Sequence, residues 1–174
     1  MVELNCRGSR VIDRTSYRNA MARLGAAVNV ITTVGAGGRR GLTASAVCSV
    51  TDDPPTLLLC INRTSDNHEP LRANGVLCVN TLSASQEALS PLFAGMTGAA
   101  QEERFAQGEW TTLVTGCPVL RDAVVSFDCT VTEMTDVGTH TVFFCAVQAV
   151  QLGAEREGLI YFERAYHRIT AVAA

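Results

Sequence analysis

Two adjacent prolines constrain this chain more than any other feature. Asp52-Asp53-Pro54-Pro55 cannot continue a β-ladder, because proline fixes φ and carries no amide hydrogen, so a strand arriving at Asp52 must stop and turn. The residues on both sides favour strands. Residues 42–50 are rich in small and β-branched side chains, and residues 56–61 are a short apolar run. The stretch 41–62 therefore predicts two strands folded about a proline turn. Within the first strand, Thr43, Ser45 and Ser49 stand where a buried strand would usually carry hydrocarbon. Small hydroxyl side chains let a ligand come close to the backbone and still supply hydrogen bonds. Residue chemistry alone leaves two readings open: a core hairpin with internally satisfied hydroxyls, or a platform for a ligand.

The rest of the chain predicts more strands than helices. Residues 1–12 carry no pattern, and a flexible arm is expected over 1–15, with one domain over 16–174. Asp13, Thr15 or Ser16 can cap a short helix with Tyr17, Ala20, Met21 and Leu24 as its apolar stripe, ended by Gly25. Residues 28–34 read as a strand, and the glycine-rich loop 35–40 returns the chain as a hairpin. That loop lacks the trailing lysine of a P-loop and the following helix of a dinucleotide fingerprint, so it is a turn. The polar run 63–67 precedes a short helix from His68 to Ala73, whose start is either an ordinary cap or a place for a phosphate.

Asn74 and Gly75 turn into a strand over 76–82, residues 83–92 predict a helix capped at Ser83 or Ser85, and 95–100 form a small-residue loop leading into 101–105. Over 124–133, Val125, Phe127, Cys129 and Val131 alternate with Ser126, Asp128, Thr130 and Thr132, which predicts a strand with one face on the core. Residues 142–150 read as a central strand or a subunit contact, and 159–162 and 166–169 as the last strands. Closely spaced strands with a few small helices predict a closed antiparallel barrel rather than βαβ units.

Composition narrows the function classes. At 174 residues the chain fits one domain, and a net charge of −3 without a basic run argues against nucleic acid or an anionic membrane surface as a partner. There is no apolar run long enough for a membrane span and no signal-like apolar segment at the start, so a cytoplasmic protein is expected. The seven cysteines are odd in number and contain no Cys-x-x-Cys pair. Cys60, Cys78, Cys129 and Cys145 are expected in the core as free thiols. His68, His140 and His167 are far apart and unpaired with cysteines, so no metal site is expected.

An ordered set of segments resembles the short-chain flavin reductases, the small components of two-component flavin monooxygenases, such as those serving 4-hydroxyphenylacetate hydroxylation and pyrimidine ring opening. The set comprises Ala26-Ala27-Val28-Asn29-Val30-Ile31-Thr32-Thr33, Gly41 through Thr56, Leu77-Cys78-Val79-Asn80-Thr81-Leu82, Phe93-Ala94-Gly95-Met96-Thr97, Glu103-Arg104-Phe105, Val137-Gly138-Thr139-His140 and Gly158-Leu159-Ile160-Tyr161-Phe162. It spans about residues 16–169. The resemblance implies a mainly β split β-barrel with short helices and Greek-key connections, assembled as a homodimer. It also implies NADH-dependent reduction of free FMN or FAD and delivery of the reduced flavin to a separate flavin-dependent monooxygenase.

The resemblance assigns site residues as well. Thr43, Ala44, Ser45, Ser49 and Val50 would contact the flavin ring and ribityl chain, and Asn62, Ser65 and Asn67 the ribityl and phosphate end. Many relatives carry threonine where this chain has Asn67. Phe93 and Ala94 would close over the flavin. Arg104 would meet its phosphate, unless it spends its charge on Glu102 or Glu103. His140, in the family's Gly-x-His position, would face the nicotinamide, helped by Tyr166. No catalytic acid, base or nucleophile is expected, because hydride passes directly between the two cofactors. Two other readings keep part of this pattern: a carrier or sensor that holds flavin without turnover, and an oxidase of the pyridoxamine-phosphate type, which should carry more basic residues.

Overall fold

The computed structural model describes residues 3–4, 10–154 and 157–170. The expected arm at 1–15 therefore falls partly outside the described residues. In chain order the elements are β1 (Glu3–Leu4), β2 (Arg10–Val11), α1 (Arg14–Met21), β3 (Ala26–Ala27), β4 (Asn29–Thr33), β5 (Arg40–Ala44), β6 (Val47–Asp52) and β7 (Pro55–Asn62). Next come α2 (His68–Asn74), β8 (Val76–Thr81), a 3-10 turn (Ala84–Gln86), α3 (Leu89–Phe93), α4 (Gln101–Phe105), β9 (Trp110–Thr112) and β10 (Pro118–Leu120). The last strands are β11 (Val125–Val137), β12 (His140–Leu152), β13 (Glu157–Phe162) and β14 (Ala165–Thr170).

The proline turn forms the hairpin β6–β7 as expected, but the strand before it is not continuous. Residues 42–50 divide at Ser45 and Ala46 into the end of β5 and the start of β6. A seven-stranded antiparallel sheet runs in the order β5-β4-β8-β11-β12-β7-β6. Its two outermost strands are thus consecutive in sequence, so the sheet has to curl until its edges lie two residues apart. This curl is the split β-barrel, closed at one corner by covalent chain rather than by a ladder. A second sheet, β14-β13-β3, carries the C-terminal hairpin.

Curling gives each strand a lining face and an outer face. Ile31, Leu42, Leu59, Ile61, Leu77, Val79, Cys129, Phe143 and Cys145 form one buried cluster. Val28, Val30, Leu82, Phe93, Phe105 and Leu159 form a second, where α3, α4 and the C-terminal hairpin meet the sheet. β4 is buried at all five positions because both of its faces are covered. At the start of β11 neither face is solvated, with Val125 and Phe127 half-buried, which corrects the expectation of one solvated face. Ser126 and Asp128 are buried; the Ser126 hydroxyl donates to Asn80 Oδ1 at 2.9 Å, and Asp128 accepts the Thr115 amide at 2.8 Å and its hydroxyl.

Three further expectations change. The segment 83–92 is a 3-10 turn closed by Ser83 and Gln86, followed by the separate short helix α3. The α1 stripe buries nothing: Asp13 caps the helix, yet Tyr17, Met21 and Leu24 are exposed. Among the cysteines, Cys78, Cys117, Cys129 and Cys145 are buried, while Cys60 is only half-buried and Cys48 is exposed.

Candidate functional site

β5 is an edge strand, so the peptide groups of alternate residues face β4 and the others face outward. The side facing out is fixed by Gly41, whose N–H donates to Gln101 Oε1 at 2.9 Å and whose C=O accepts from Gln101 Nε2 at 3.2 Å. Two residues on, the peptide groups of Thr43 point the same way. The Thr43 hydroxyl donates to the Ser90 carbonyl at 2.6 Å, which pins β5 to α3. The Ala44 carbonyl points back to β4, where Asn29 Nδ2 donates to it at 3.2 Å.

Three adjoining cavities of about 320, 310 and 210 Å³ share Thr43. The first is walled by Thr64, Ser65, Asn67, Phe93, Ala94 and Arg104. In the second, Ser45, Cys60, Asn62 and Ser65 take part. Ala44, Ser45, Ser90, Ala94, Met96 and Tyr166 line the third. Together they make one elongated groove along the open edge of β5.

Most of the expected site residues converge here, though several act differently from expectation. Phe93 is buried and packs edge-on against Phe105 and Trp110, so it is the groove floor rather than a moving cover. Asn67 stands at the start of α2 but makes no side-chain cap; its Oδ1 accepts from Gln101 Nε2 at 3.1 Å. Asn62 folds its own loop, accepting the Thr64 amide and hydroxyl, each at 3.0 Å. Ser65 Oγ accepts the Asn67 amide at 3.3 Å. Arg104 donates from Nε to the Ala99 carbonyl at 2.9 Å. Neither neighbouring carboxylate takes its charge, because Glu102 pairs with Arg39 and Glu103 accepts the Ala100 amide at 2.8 Å.

Ser49 and Val50 are not brought into the groove. They lie on β6, at the other edge of the sheet, with exposed side chains. Tyr166 bonds through its hydroxyl to Ser90 Oγ at 2.9 Å. His140 opens β12 as the register partner of Asn62, with Nδ1 2.9 Å from the Thr139 hydroxyl, and lines none of the three cavities. Tyr166 thus lines the third cavity, and His140 stands beside Asn62, at the end of the second.

Beside this end, the buried His68 places Nε2 2.8 Å from Thr141 Oγ1, and the Thr141 hydroxyl donates to Asp136 at 2.6 Å. That bond, helped by Arg63, holds the Asp136 carboxyl below its ordinary 3.8. The network ties α2 to the hairpin that carries His140. Sequence reasoning missed Ser90, Gln101 and His68, whose partners are 47, 60 and 73 residues away and leave no local pattern.

The groove's chemistry fits a flavin. It offers open peptide groups for the polar edge of a flat ring, small hydroxyls along its length, and one guanidinium at the far end for a phosphate. Among the described residues no cluster of three or more His, Cys, Asp or Glu could hold a metal ion, and no helix is long and apolar enough to cross a membrane.

Comparison with known proteins decides the family. Residues 21–170 match the flavin reductase like domain. The chain belongs to that family. It is 59% identical over 158 residues to FMN reductase (NADH) RutF of Ancylobacter novellus, covering 91% of this chain and 86% of the relative. Among solved structures, this flavin reductase is similar to the Streptomyces globisporus NADH:FAD oxidoreductase SgcE6, determined with NAD and FAD fragments. The TM-score is 0.83 at 26% identity, over 95% of this chain and 100% of the other. It is likewise similar to the styrene monooxygenase flavin reductase SMOB of Pseudomonas putida S12, with a TM-score of 0.79 at 26% identity, over 91% and 99% of the two chains.

Proposed function

We propose that this flavin reductase oxidises NADH, reduces free FMN or FAD, and hands the reduced flavin to a separate flavin-dependent monooxygenase. The observation that carries the reading is the open edge of β5 at Thr43, continuous with a groove that ends at an Arg104 free of carboxylate partners among the described residues. The chemistry supplied by a bound flavin is acceptance of a hydride at N5 from C4 of the nicotinamide. The chain's own part is to bind and orient. Thr43, Ala44 and Ser45 would hold the ring edge, in a groove that Phe93 and Ala94 also line. Asn62 and Ser65 would border the ribityl chain, and Arg104 would meet the phosphate.

His140 and Tyr166 are assigned to the nicotinamide. If the Thr139 hydroxyl donates to His140 Nδ1, the proton sits on Nε2, which can then donate to the carboxamide oxygen. No residue needs to move a proton for the hydride step.

Two copies of the chain are proposed to pair over the face between α1, β6 and β7, which holds a cavity of about 920 Å³. It is lined by Met21, Leu24, Val47, Cys48, Leu58 and Tyr161. The exposed Tyr17, Met21 and Leu24 of the α1 region give this face an apolar rim that a second copy would cover. A single domain over 16–174 and a cytoplasmic setting complete the proposal, the free thiols fitting a reducing compartment.

The test is NADH consumption, followed by nicotinamide absorbance, with and without added FMN, FAD or riboflavin. Turnover that depends on added flavin supports the reductase. Flavin binding without NADH consumption would favour a carrier or sensor.

A further inference from the structure

Gln101 lays its amide on the open edge of β5 as a strand residue would. Its Oε1 accepts from Gly41 N–H at 2.9 Å, one Nε2 proton goes to Gly41 C=O at 3.2 Å, and the other to Asn67 Oδ1 at 3.1 Å. A flipped amide would set donor against donor at Gly41, so the orientation is fixed. The three pieces it joins, β5, the 62–67 loop and α4, are walls of the cavity that contains Arg104. α4 is only five residues long: Phe105 is buried in the second core cluster, Glu102 pairs with Arg39 on its exposed side, and Gln101 ties its first residue to β5 and the 62–67 loop.

Arg104 lies one helical turn beyond Gln101, so the Gln101 contacts set how far its guanidinium stands from Thr43. Nε is committed to the Ala99 carbonyl, and the Cβ that an alanine at Gly95 would carry falls 3.5 Å from Arg104 Nη2. The guanidinium is therefore held as well as uncompensated. Its reach depends on the placement of α4.

We propose that Gln101 is a positioning residue for the phosphate end of the flavin: by clasping Gly41 and Asn67 it fixes Arg104 at the spacing that distinguishes FMN from riboflavin. The inference rests on the flavin reading above. It also gives Asn67 an indirect part, exerted through Gln101 rather than by contact with the ligand.

The experiment is a titration of the wild type, Gln101→Ala, Arg104→Ala, their double variant and Asn67→Ala with FMN and with riboflavin, read by flavin fluorescence. The wild type is expected to prefer FMN, and Arg104→Ala to abolish that preference. Gln101→Ala should lower it about five- to tenfold while riboflavin affinity stays within about twofold, and should change nothing in the Arg104→Ala background. Asn67→Ala, which leaves the Gly41 contacts intact, should lower the same ratio by less, and it decides the matter alone if Gln101→Ala does not fold.

Equal weakening of both flavins, an unchanged ratio, or the same loss without Arg104 would overturn the role of Gln101. A wild type that binds both flavins equally would overturn it too, leaving the flavin reading intact. Binding of neither flavin would overturn both.

Discussion

Ser90 and Tyr166 join their hydroxyls at 2.9 Å, coupling α3 to the C-terminal hairpin, while the Ser90 carbonyl takes the Thr43 hydroxyl at 2.6 Å. One buried serine thus connects the open edge of β5 to the residue assigned to the nicotinamide. Ser90 is buried and Tyr166 half-buried, so removing the Tyr166 hydroxyl should leave that of Ser90 without this partner and away from water. Ser90→Ala and Tyr166→Phe are each expected to cost about 1 kcal/mol of stability, with a coupling of about 1 kcal/mol between them in a double-mutant cycle. Urea unfolding of the three variants measures this, and simple additivity would deny the link.

Gly41 is where the platform tolerates no side chain. A Cβ there would stand 2.5 Å from Phe93 Cε1 and 3.2 Å from Phe105 Cζ, both rings held in the core. Gly41→Ala should therefore destabilise by about 1–3 kcal/mol through overpacking and weaken flavin binding as β5 shifts. Thermal unfolding and a flavin titration check both effects. An unchanged melting temperature would mean that the Phe93 ring yields freely.

Much of this architecture was legible in the sequence, and the parts that were not share a cause. The proline turn, the hairpin loop after Thr33 and the strand at 76–82 announce themselves through proline, glycine and periodicity. The break at Ser45 and Ala46 does not. A chain that crosses from one sheet edge to the other needs neither proline nor glycine at the corner, so residues 42–50 read as one strand.

Ser126 and Asp128 looked solvent-facing because the pattern of β11 cannot report what covers its outer face. In fact Asn80 and Thr115 receive them there. At the site, Thr43, Ser45 and Arg104 were legible by residue type and resemblance. Gln101 was not, because its partner at Gly41 is distant in the chain.

The buried thiols give a pH dependence of definite sign. Burial pushes Cys145 up to about 12 from the ordinary 9.0, and raises Cys78, Cys117 and Cys129 as well. In the unfolded chain these thiols ionise near 9.0, whereas in the folded protein they stay neutral. Stability should therefore hold below pH 9.0 and fall as pH rises from there toward 12. At neutral pH, in a Cys6→Ala background, a thiol reagent should modify Cys48 quickly and the four buried cysteines only on unfolding. Fast native labelling of Cys129 or Cys145 would contradict the packing.

His140→Ala separates the two ligands. With His140 on the nicotinamide, the variant should raise the NADH KM about tenfold and leave flavin affinity within about twofold. Steady-state kinetics at saturating flavin, paired with a flavin titration, reads both quantities. Unchanged NADH kinetics would remove His140 from the site.

The central claim is that the open edge of β5 is where a flavin lies, and a crystal structure of the protein with FMN tests it most directly. The tricyclic ring should lie beside Thr43 to Ser45 with its phosphate at Arg104. A ring bound elsewhere, with the Thr43 edge facing only solvent, would contradict it.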